Sequence, residues 1–373
     1  MKRCITLILT LSFFVHHSSY AQQTVFEPVG DTLVRFFFDE NYYLVDKNCE
    51  FKTIERVAGF DKEGSKFEGQ FKDFHVATGH AILVGTYRDG LKEGPFKAYY
   101  PDGQLRWETT FRNGLPIGEW RDYYADGKPH LFITLEENSF TIDQMWNKNG
   151  EQVVENGNGL YNLDSPIIGF TEHGYTYYNR SGKVTNGMPE GRWPIMIFVS
   201  DKIRQNVGTE IFEGGKLVRE SINRELFRTY YGSLQSLVEF SILPNDYFPR
   251  AEYLLSKNCS FDDFSGFRNF IATKFFRYLQ IGATDLDLKT EITYHVRVSK
   301  KGIPKVRSVS SSDTLTYEQR ALMKEMVNSI TYYLPSYLEG KPVKDNLTIH
   351  FTLHWNDEHK GILNVKLQRE KGQ

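Results

Sequence analysis

What this sequence lacks narrows it first. Its 373 residues contain no Gly-x-Ser-x-Gly elbow, no His-Glu-x-x-His pair, no Cys-x-x-Cys and no phosphate-binding loop. Elbow-type hydrolases, helix-borne zinc proteases, dithiol redox enzymes and P-loop NTPases lose their signatures with those words. The stretch GNGLYN, Gly157 to Asn162, begins like a dinucleotide fingerprint. It has neither the third glycine nor a strand-to-helix setting, so no nucleotide is expected there. No sign of charge dominates, with 45 basic against 47 acidic side chains. Such a balance excludes a general attraction to nucleic acid or anionic lipid. After Val15 no apolar run approaches the roughly 20 residues that span a bilayer. Cysteine is rare, three residues in all, and apolar residues make up only 40%.

Aromatic residues, by contrast, reach 15%. That mixture suits many short, half-buried strands better than a helical bundle. The length allows two or three domains, each with its own core.

The N-terminus reads as a secretory signal. Lys2 and Arg3 precede an apolar run from Cys4 to Val15, and Ser19-Tyr20-Ala21 offers small residues for cleavage. The mature chain is expected to begin near Gln22, in the periplasm. The alternative is an uncleaved inner-membrane anchor, but a run of about 12 residues is short for a span. No cysteine stands at the cleavage point, so lipidation there is not expected. Cleavage removes Cys4 and leaves Cys49 and Cys259, which sit in similar words, Lys47-Asn48-Cys49 and Lys257-Asn258-Cys259. The two either pair or remain thiols. Pairing would stabilise the fold by about 5 kcal/mol through unfolded-chain entropy.

One sentence is written twice. Tyr87 to Thr110 and Phe111 to Thr134 align without a gap, about 24 residues each, keeping Gly, Gly, Tyr-Tyr and Asp-Gly. Within a copy, Leu105, Trp107, Thr109 and Phe111 alternate with Arg106, Glu108, Thr110 and Arg112, which is a strand with one wet face. Asp89-Gly90, Asp102-Gly103, Asn113-Gly114 and Asp126-Gly127 supply hairpin turns. The kept positions are Gly90, Gly94, Phe96, Tyr99, Tyr100 and Gly103 in one copy. In the next they are Gly114, Gly118, Trp120, Tyr123, Tyr124 and Gly127. Gly69 to Phe74 is an earlier partial copy, and NGMPEGRW, with Gly187, Gly191 and Trp193, is a later one. YYNRSGK, Tyr177 to Lys183, and FEGGKL, Phe212 to Leu217, are looser copies. An elongated antiparallel hairpin array from about Gly59 to Glu220 is expected, irregular between Glu136 and Glu172. Glycines are kept where the backbone bends and aromatics where neighbours touch. The motif resembles MORN repeats, above all their bacterial variants. That resemblance implies a scaffold or interaction surface with no reactive site.

From about Phe261 the pattern changes. Phe267, Phe270, Ile271, Phe275, Tyr278 and Leu279 recur at helical spacing. Ile292 to Val298 and Val306 to Val309 read as strands about a turn at Gly302. Thr316 and Gln319 fit a capping box before a second helix through Ile330. Leu347, Ile349, Phe351, Leu353 and Trp355 then alternate as a last strand, giving the order helix, strand, strand, helix, strand. ITYHVRVSKKGIPKVRSV, with Leu334-Pro335 and Gly340-Lys341-Pro342-Val343, resembles the C-terminal domain of TonB-type proteins over about Phe264 to Trp355. The resemblance implies a small α+β domain that docks a partner peptide by adding a strand to a sheet edge. The docking edge expected here is the last strand, at Asn346, Thr348, His350, Thr352 and His354. The partner implied is an envelope protein or peptide, such as an outer-membrane transporter. The chain departs from an energy transducer in showing neither a retained anchor nor a Pro-rich spacer.

No catalytic residue, metal or cofactor is expected. His350 and His354 share a strand face but stand roughly 13 Å apart at about 3.3 Å per residue, too far for one ion. The acidic pairs Glu136-Glu137 and Asp262-Asp263 read as solvated. Trp107, Trp120, Trp146 and Trp193 read as core packing ahead of a carbohydrate platform.

The expected fold is thus mixed β and α+β. It comprises a signal peptide over 1–21, a β segment over 22–58, the array over 59–220 and a connector over 221–260. A TonB-like domain over 261–358 and a tail over 359–373 complete it. The expected function is an exported, non-enzymatic interaction protein of the cell envelope. Its alternatives are an anchored energy transducer and, further off, an envelope hydrolase. Mass spectrometry of the mature protein should find a start at Gln22; an intact Met1 points to the transducer.

Overall fold

The computed structural model describes residues 26–136, 139–166, 170, 177–199, 203–223, 254–282, 286–338 and 341–371. The expected signal segment with Cys4, most of the connector, Glu137, Glu172 and Gly340 lie outside the described residues.

Strands β1 (Glu27–Val29), β2 (Leu33–Phe38), β3 (Ile54–Asp61), β4 (Lys66–His75), β5 (Ala81–Arg88) and β6 (Leu91–Lys92) come first. Next come β7 (Gly94–Tyr99), β8 (Leu105–Arg112), β9 (Leu115–Tyr123), β10 (Pro129–Leu135), β11 (Phe140–Trp146) and β12 (Gln152–Glu155). Strands β13 (Asn158–Pro166), β14 (Tyr177–Thr185), β15 (Met188–Val199), β16 (Ile203–Glu213) and β17 (Lys216–Ile222) complete one 17-stranded sheet. It is an antiparallel meander in which each strand pairs with the next, β5 reaching β7 past the short β6. With 59% strand overall, the chain is β-rich, as its composition implies.

The two margins of the meander turn differently. At one margin both central residues take positive φ: Asp89 and Gly90 at 53° and 79°, Asn113 and Gly114 at 51° and 81°, Asn186 and Gly187 at 50° and 79°. These are the values two-residue hairpins need. At the other margin only the glycine is left-handed, Gly103 at 94° and Gly127 at 82°. There Tyr100 N–H donates to Gln104 O and Tyr124 N–H to Lys128 O, each at 2.8 Å.

Each hairpin is stitched to the last. Gly90 N–H donates to Phe67 O at 3.1 Å, Gly114 N–H to Lys92 O at 2.9 Å, and Gly215 N–H to Pro189 O at 3.2 Å. A glutamate beside Gly69, Gly94 and Gly191 caps the next turn. Glu68 accepts from Asp89 N–H at 2.7 Å, Glu93 from Asn113 N–H at 3.0 Å and Glu190 from Gly214 N–H at 2.8 Å. On the opposite margin the second tyrosine of each pair does the same work. Tyr100 Oη donates to Tyr123 O and Tyr124 Oη to Trp146 O, both at 2.8 Å.

Between these margins the inward aromatics stack. Phe96 lies 4.7 Å from Phe111, Trp107 4.6 Å from Trp120, and Tyr161 5.1 Å from Trp193, centroid to centroid. One continuous core runs from Val34 to Phe212.

The array is more regular than its sequence. In the described part of the stretch expected to be irregular, β11, β12 and β13 continue the meander. Trp146-Asn147-Lys148-Asn149-Gly150-Glu151 closes the same turn, with Asn147 N–H on Glu151 O and Gly150 N–H on Asn147 O, each at 2.9 Å. Asn147 in place of the second tyrosine hid that copy. Tyr42 to Val45, by contrast, is no strand; Leu44 alone makes isolated bridges, to Phe38 and Ser256.

The C-terminal part holds α1 (Phe261–Phe264), α2 (Phe267–Gly282), β18 (Leu288–Val298), β19 (Pro304–Ser311) and α3 (Tyr317–Asn328). It ends with β20 (Ser336–Leu338), β21 (Lys341–Val343), β22 (Asp345–Trp355) and β23 (Lys360–Lys371). The capping box of Thr316 and Gln319 is formed. The expected tail from 359 is therefore β23 for most of its length. The four-stranded sheet runs β19-β18-β22-β23, and helices α2 and α3 contribute Phe270, Phe275, Leu279, Met323 and Val327 to its core.

This part is buckled to the start of the array. Leu44 N–H donates to Leu255 O at 2.7 Å and Lys257 N–H to Leu44 O at 3.0 Å. The Lys257 ammonium lies 3.5 Å from Asp39 and 4.1 Å from the Tyr43 ring centroid. Phe51 stacks on Phe264 at 4.7 Å. Cys49 and Cys259 are joined as a disulfide, Cα to Cα 5.5 Å, across 210 residues of chain. Phe170, from the connection after β13, packs on Phe267 and Phe270.

Two core glycines have no room for a methyl group. A Cβ on Gly85 would sit 2.6 Å from the Phe96 ring, and one on Gly182 would collide with the Trp193 ring. Gly85→Ala and Gly182→Ala should each cost about 1–3 kcal/mol in urea unfolding. Unchanged midpoints in both variants would show that these rings do not cover the glycines.

Candidate binding surfaces

Three places combine charge, burial and position: a buried ionic pair in the array, the C-terminal sheet, and the wet face of β7–β11.

Arg56 and Asp73 enter the core from β3 and β4, both at 0% exposure. Arg56 Nε donates to Asp73 Oδ1 at 2.7 Å and its Nη2 to Asp73 Oδ2 at 2.8 Å. Tyr42 Oη donates to the same carboxylate at 3.1 Å. Phe71 and Phe67 lie 4.5 and 4.7 Å from the guanidinium carbon, and Phe38, Tyr42 and Tyr87 stand further out. Burial penalises the Arg56 charge, but Asp73 and the tyrosines outweigh it and raise its pKa. Burial, then Asp73, pushes the Tyr42 hydroxyl well up. Every group in this cluster is turned on another, so it locks register and leaves nothing for a ligand. Sequence reasoning passed over it: alternation puts Arg56 on the face of Ile54 and Ala58 and Asp73 on the face of Phe71, but nothing local shows that the two charges meet there.

The expected docking residues Asn346, Thr348, His350, Thr352 and His354 do share one face of β22. They are not on an edge. β22 pairs with β18 along its whole length and with β23 on the other side. The last strand seen in the sequence is thus central, and a guest strand has no place on it. Its side chains are also engaged: Thr293 and His350 Nδ1 are 2.9 Å apart, and His295 Nδ1 and Thr348 3.2 Å. His354 stacks on His359 at 5.1 Å.

The open edges are β19 and β23; neither has an outer strand neighbour among the described residues. β19 begins with Pro304, and its ladder shifts register beside Arg307, two devices that blunt an edge. β23 carries one bulge, at Asn364 with φ 55°. Beyond it Lys366–Lys371 runs uninterrupted opposite His350–Asp345. Arg369 pins this run. Its Nη1 donates to Asp345 at 2.7 Å and to Leu334 O at 2.8 Å, and its Nη2 to Asp262 at 2.5 Å. Burial opposes the Arg369 charge, and Asp262 and Asp345 together raise its pKa. Asp262 and Asp263 are therefore buried structural groups, against the expectation of a solvated pair. Arg369 was invisible in the sequence because its partners lie as far as 107 residues away.

On the array, Trp107, Trp120 and Trp193 are buried core residues. Trp146 is only half-buried and faces the other way, beside Phe132. A hollow of about 490 Å³ opens next to that face, between Lys97, Glu108, Thr110, Ile117, Glu119 and Arg121. At the end of β9, Asp122 Oδ2 and His130 Nδ1 are 2.6 Å apart. Burial, then Asp122, pushes the neighbouring Tyr124 hydroxyl up to about 12, keeping it a donor.

Among the described residues no three or more His, Cys, Asp or Glu side chains gather to hold a metal ion. No helix among them is long and apolar enough to cross a membrane. Compared with known proteins, the chain matches no family model and no curated protein.

Arg56→Ala should cost about 3–5 kcal/mol, since it strands Asp73 without its cation. Pairing Arg56→Met with Asp73→Leu should recover most of that loss. A double variant no more stable than Arg56→Ala would overturn the account of this pair.

Proposed function

We propose that this protein is an exported, non-enzymatic adaptor of the cell envelope. A MORN-like array forms its scaffold, and a TonB-like C-terminal domain docks a partner segment by strand addition at the outer edge of β23. The observation that carries this reading is the state of Lys366–Lys371: paired on one side, lacking a strand on the other among the described residues, and held rigid by Arg369. A guest strand laid on such an edge forms main-chain hydrogen bonds without first ordering its host. The side chains of Lys366, Gln368 and Glu370 stand exposed along it and set a polar preference for the guest. The buckle to the array places the edge on a fixed body, which suits an adaptor better than a force-bearing tether.

The test places a photo-crosslinking side chain at Gln368, and separately at Lys305 on the opposite edge, in the full chain within envelope extracts. Adducts should form mainly from Gln368. Equal labelling from both sites, or labelling from Lys305 alone, would count decisively against docking at β23.

A further inference from the structure

We infer that the wet face of β7–β11 is a binding platform for a neutral oligosaccharide. The residues come from five consecutive strands. Tyr123 ends β9, Phe132 lies in β10 and Trp146 ends β11. The Tyr123 and Phe132 centroids are 5.8 Å apart, and those of Phe132 and Trp146 5.0 Å, with both pairs edge-to-face. All three rings are half-buried. They are not needed by the core, which Trp120, Leu131, Ile133 and Met145 fill from the opposite face of the same strands. An outward aromatic row of this kind leaves apolar ring surface in contact with water.

The row leads into the 490 Å³ hollow, a volume within the range of small-ligand sites. Its charged lining cancels. Lys97 pairs with Glu108 at 3.0 Å, and Arg121 with Glu119 at 2.5 Å. Arg121 also lies 5.7 Å from the Phe132 centroid, and Tyr123 Oη donates to Glu108 at 3.4 Å, joining the polar hollow to the aromatic row. Two cations against two anions create no field to draw phosphate, a headgroup or an acidic peptide. What remains is an alternation of donors and acceptors beside ring surfaces. A pyranose chain is built for that surface: its hydroxyls bridge carboxylate and ammonium groups, and its C–H faces lie on aromatic rings. The ring-to-ring steps are of the size of one sugar unit along an extended chain. Burial, then Glu108, raises the Tyr123 pKa, so its hydroxyl stays protonated as a donor.

The other tryptophans, Trp107, Trp120, Trp193 and Trp355, are buried. Fluorescence quenched by a surface ligand therefore reports Trp146. The full-length protein is titrated with cellohexaose and chitohexaose, with heparin as an anionic control, by fluorescence and calorimetry. At least one neutral hexamer should bind at about 1 mM or tighter. Trp146→Ala should weaken it at least about tenfold, or 1.4 kcal/mol, with the unfolding temperature checked in parallel. Arg121→Gln, a milder exposed change, should also weaken it. No binding of either hexamer, binding that both variants leave intact, or binding of heparin alone that salt abolishes would each overturn the inference.

Discussion

A hairpin in this array can bury its aromatic face only if its turn is held level with the turn before it. The turn glycines meet that constraint through their backbone N–H groups, Gly90 on Phe67 O and Gly114 on Lys92 O. The glutamates Glu68, Glu93 and Glu190 cap the same turns from the preceding hairpin. A slip by one residue would move Trp107, Trp120 and Trp193 from the core to water and carry charged neighbours inward. The stitched margins prevent it at both ends of each strand, and the Arg56–Asp73 pair prevents it from within. Stacked aromatics supply most of the burial; the margins decide which residues are buried.

The same economy of fixed points joins the two parts of the molecule. Within a few residues the chain around Lys257 uses a backbone bridge to Leu44, an ion pair with Asp39, a disulfide to Cys49 and, through Phe264, a ring stack on Phe51. The array and the C-terminal sheet are therefore not beads on a loose string. The Cys49–Cys259 bond closes a loop that contains the greater part of the array, so it restrains the unfolded chain more than any local link would. A surface on one part keeps a set relation to this buckle, which suits the proposed adaptor and its two proposed binding surfaces.

Those two surfaces differ in physics. The edge of β23 offers unpaired backbone and asks little of a guest's side chains beyond an extended form. The wet face of β7–β11 offers rings and balanced charges, so the selectivity proposed for it lies in shape and hydrogen-bond pattern.

Much of the fold was legible because its signals are local. Asp89-Gly90 and Asn113-Gly114 need positive φ, and the alternation of Leu105 to Arg112 fixes which side chains face in; neither depends on distant chain. The helix cap at Thr316 and Gln319 and the pattern of β22 were readable for the same reason. The site was much less legible. Trp146 looked like its three buried counterparts, because a one-dimensional row does not say which face of a bulged strand a residue occupies. His350 and its neighbours looked like an edge, because nothing in residues 346–355 records that β23 folds back beside them. By itself, the sequence determined the hairpins, their spacing and the inward aromatics, all set by backbone sterics and period-two alternation. Only the tertiary structure decided that Arg369 reaches Asp262, that Arg56 is buried with Asp73, and which strands are left at the rim, because contacts across scores of residues depend on how the whole chain closes.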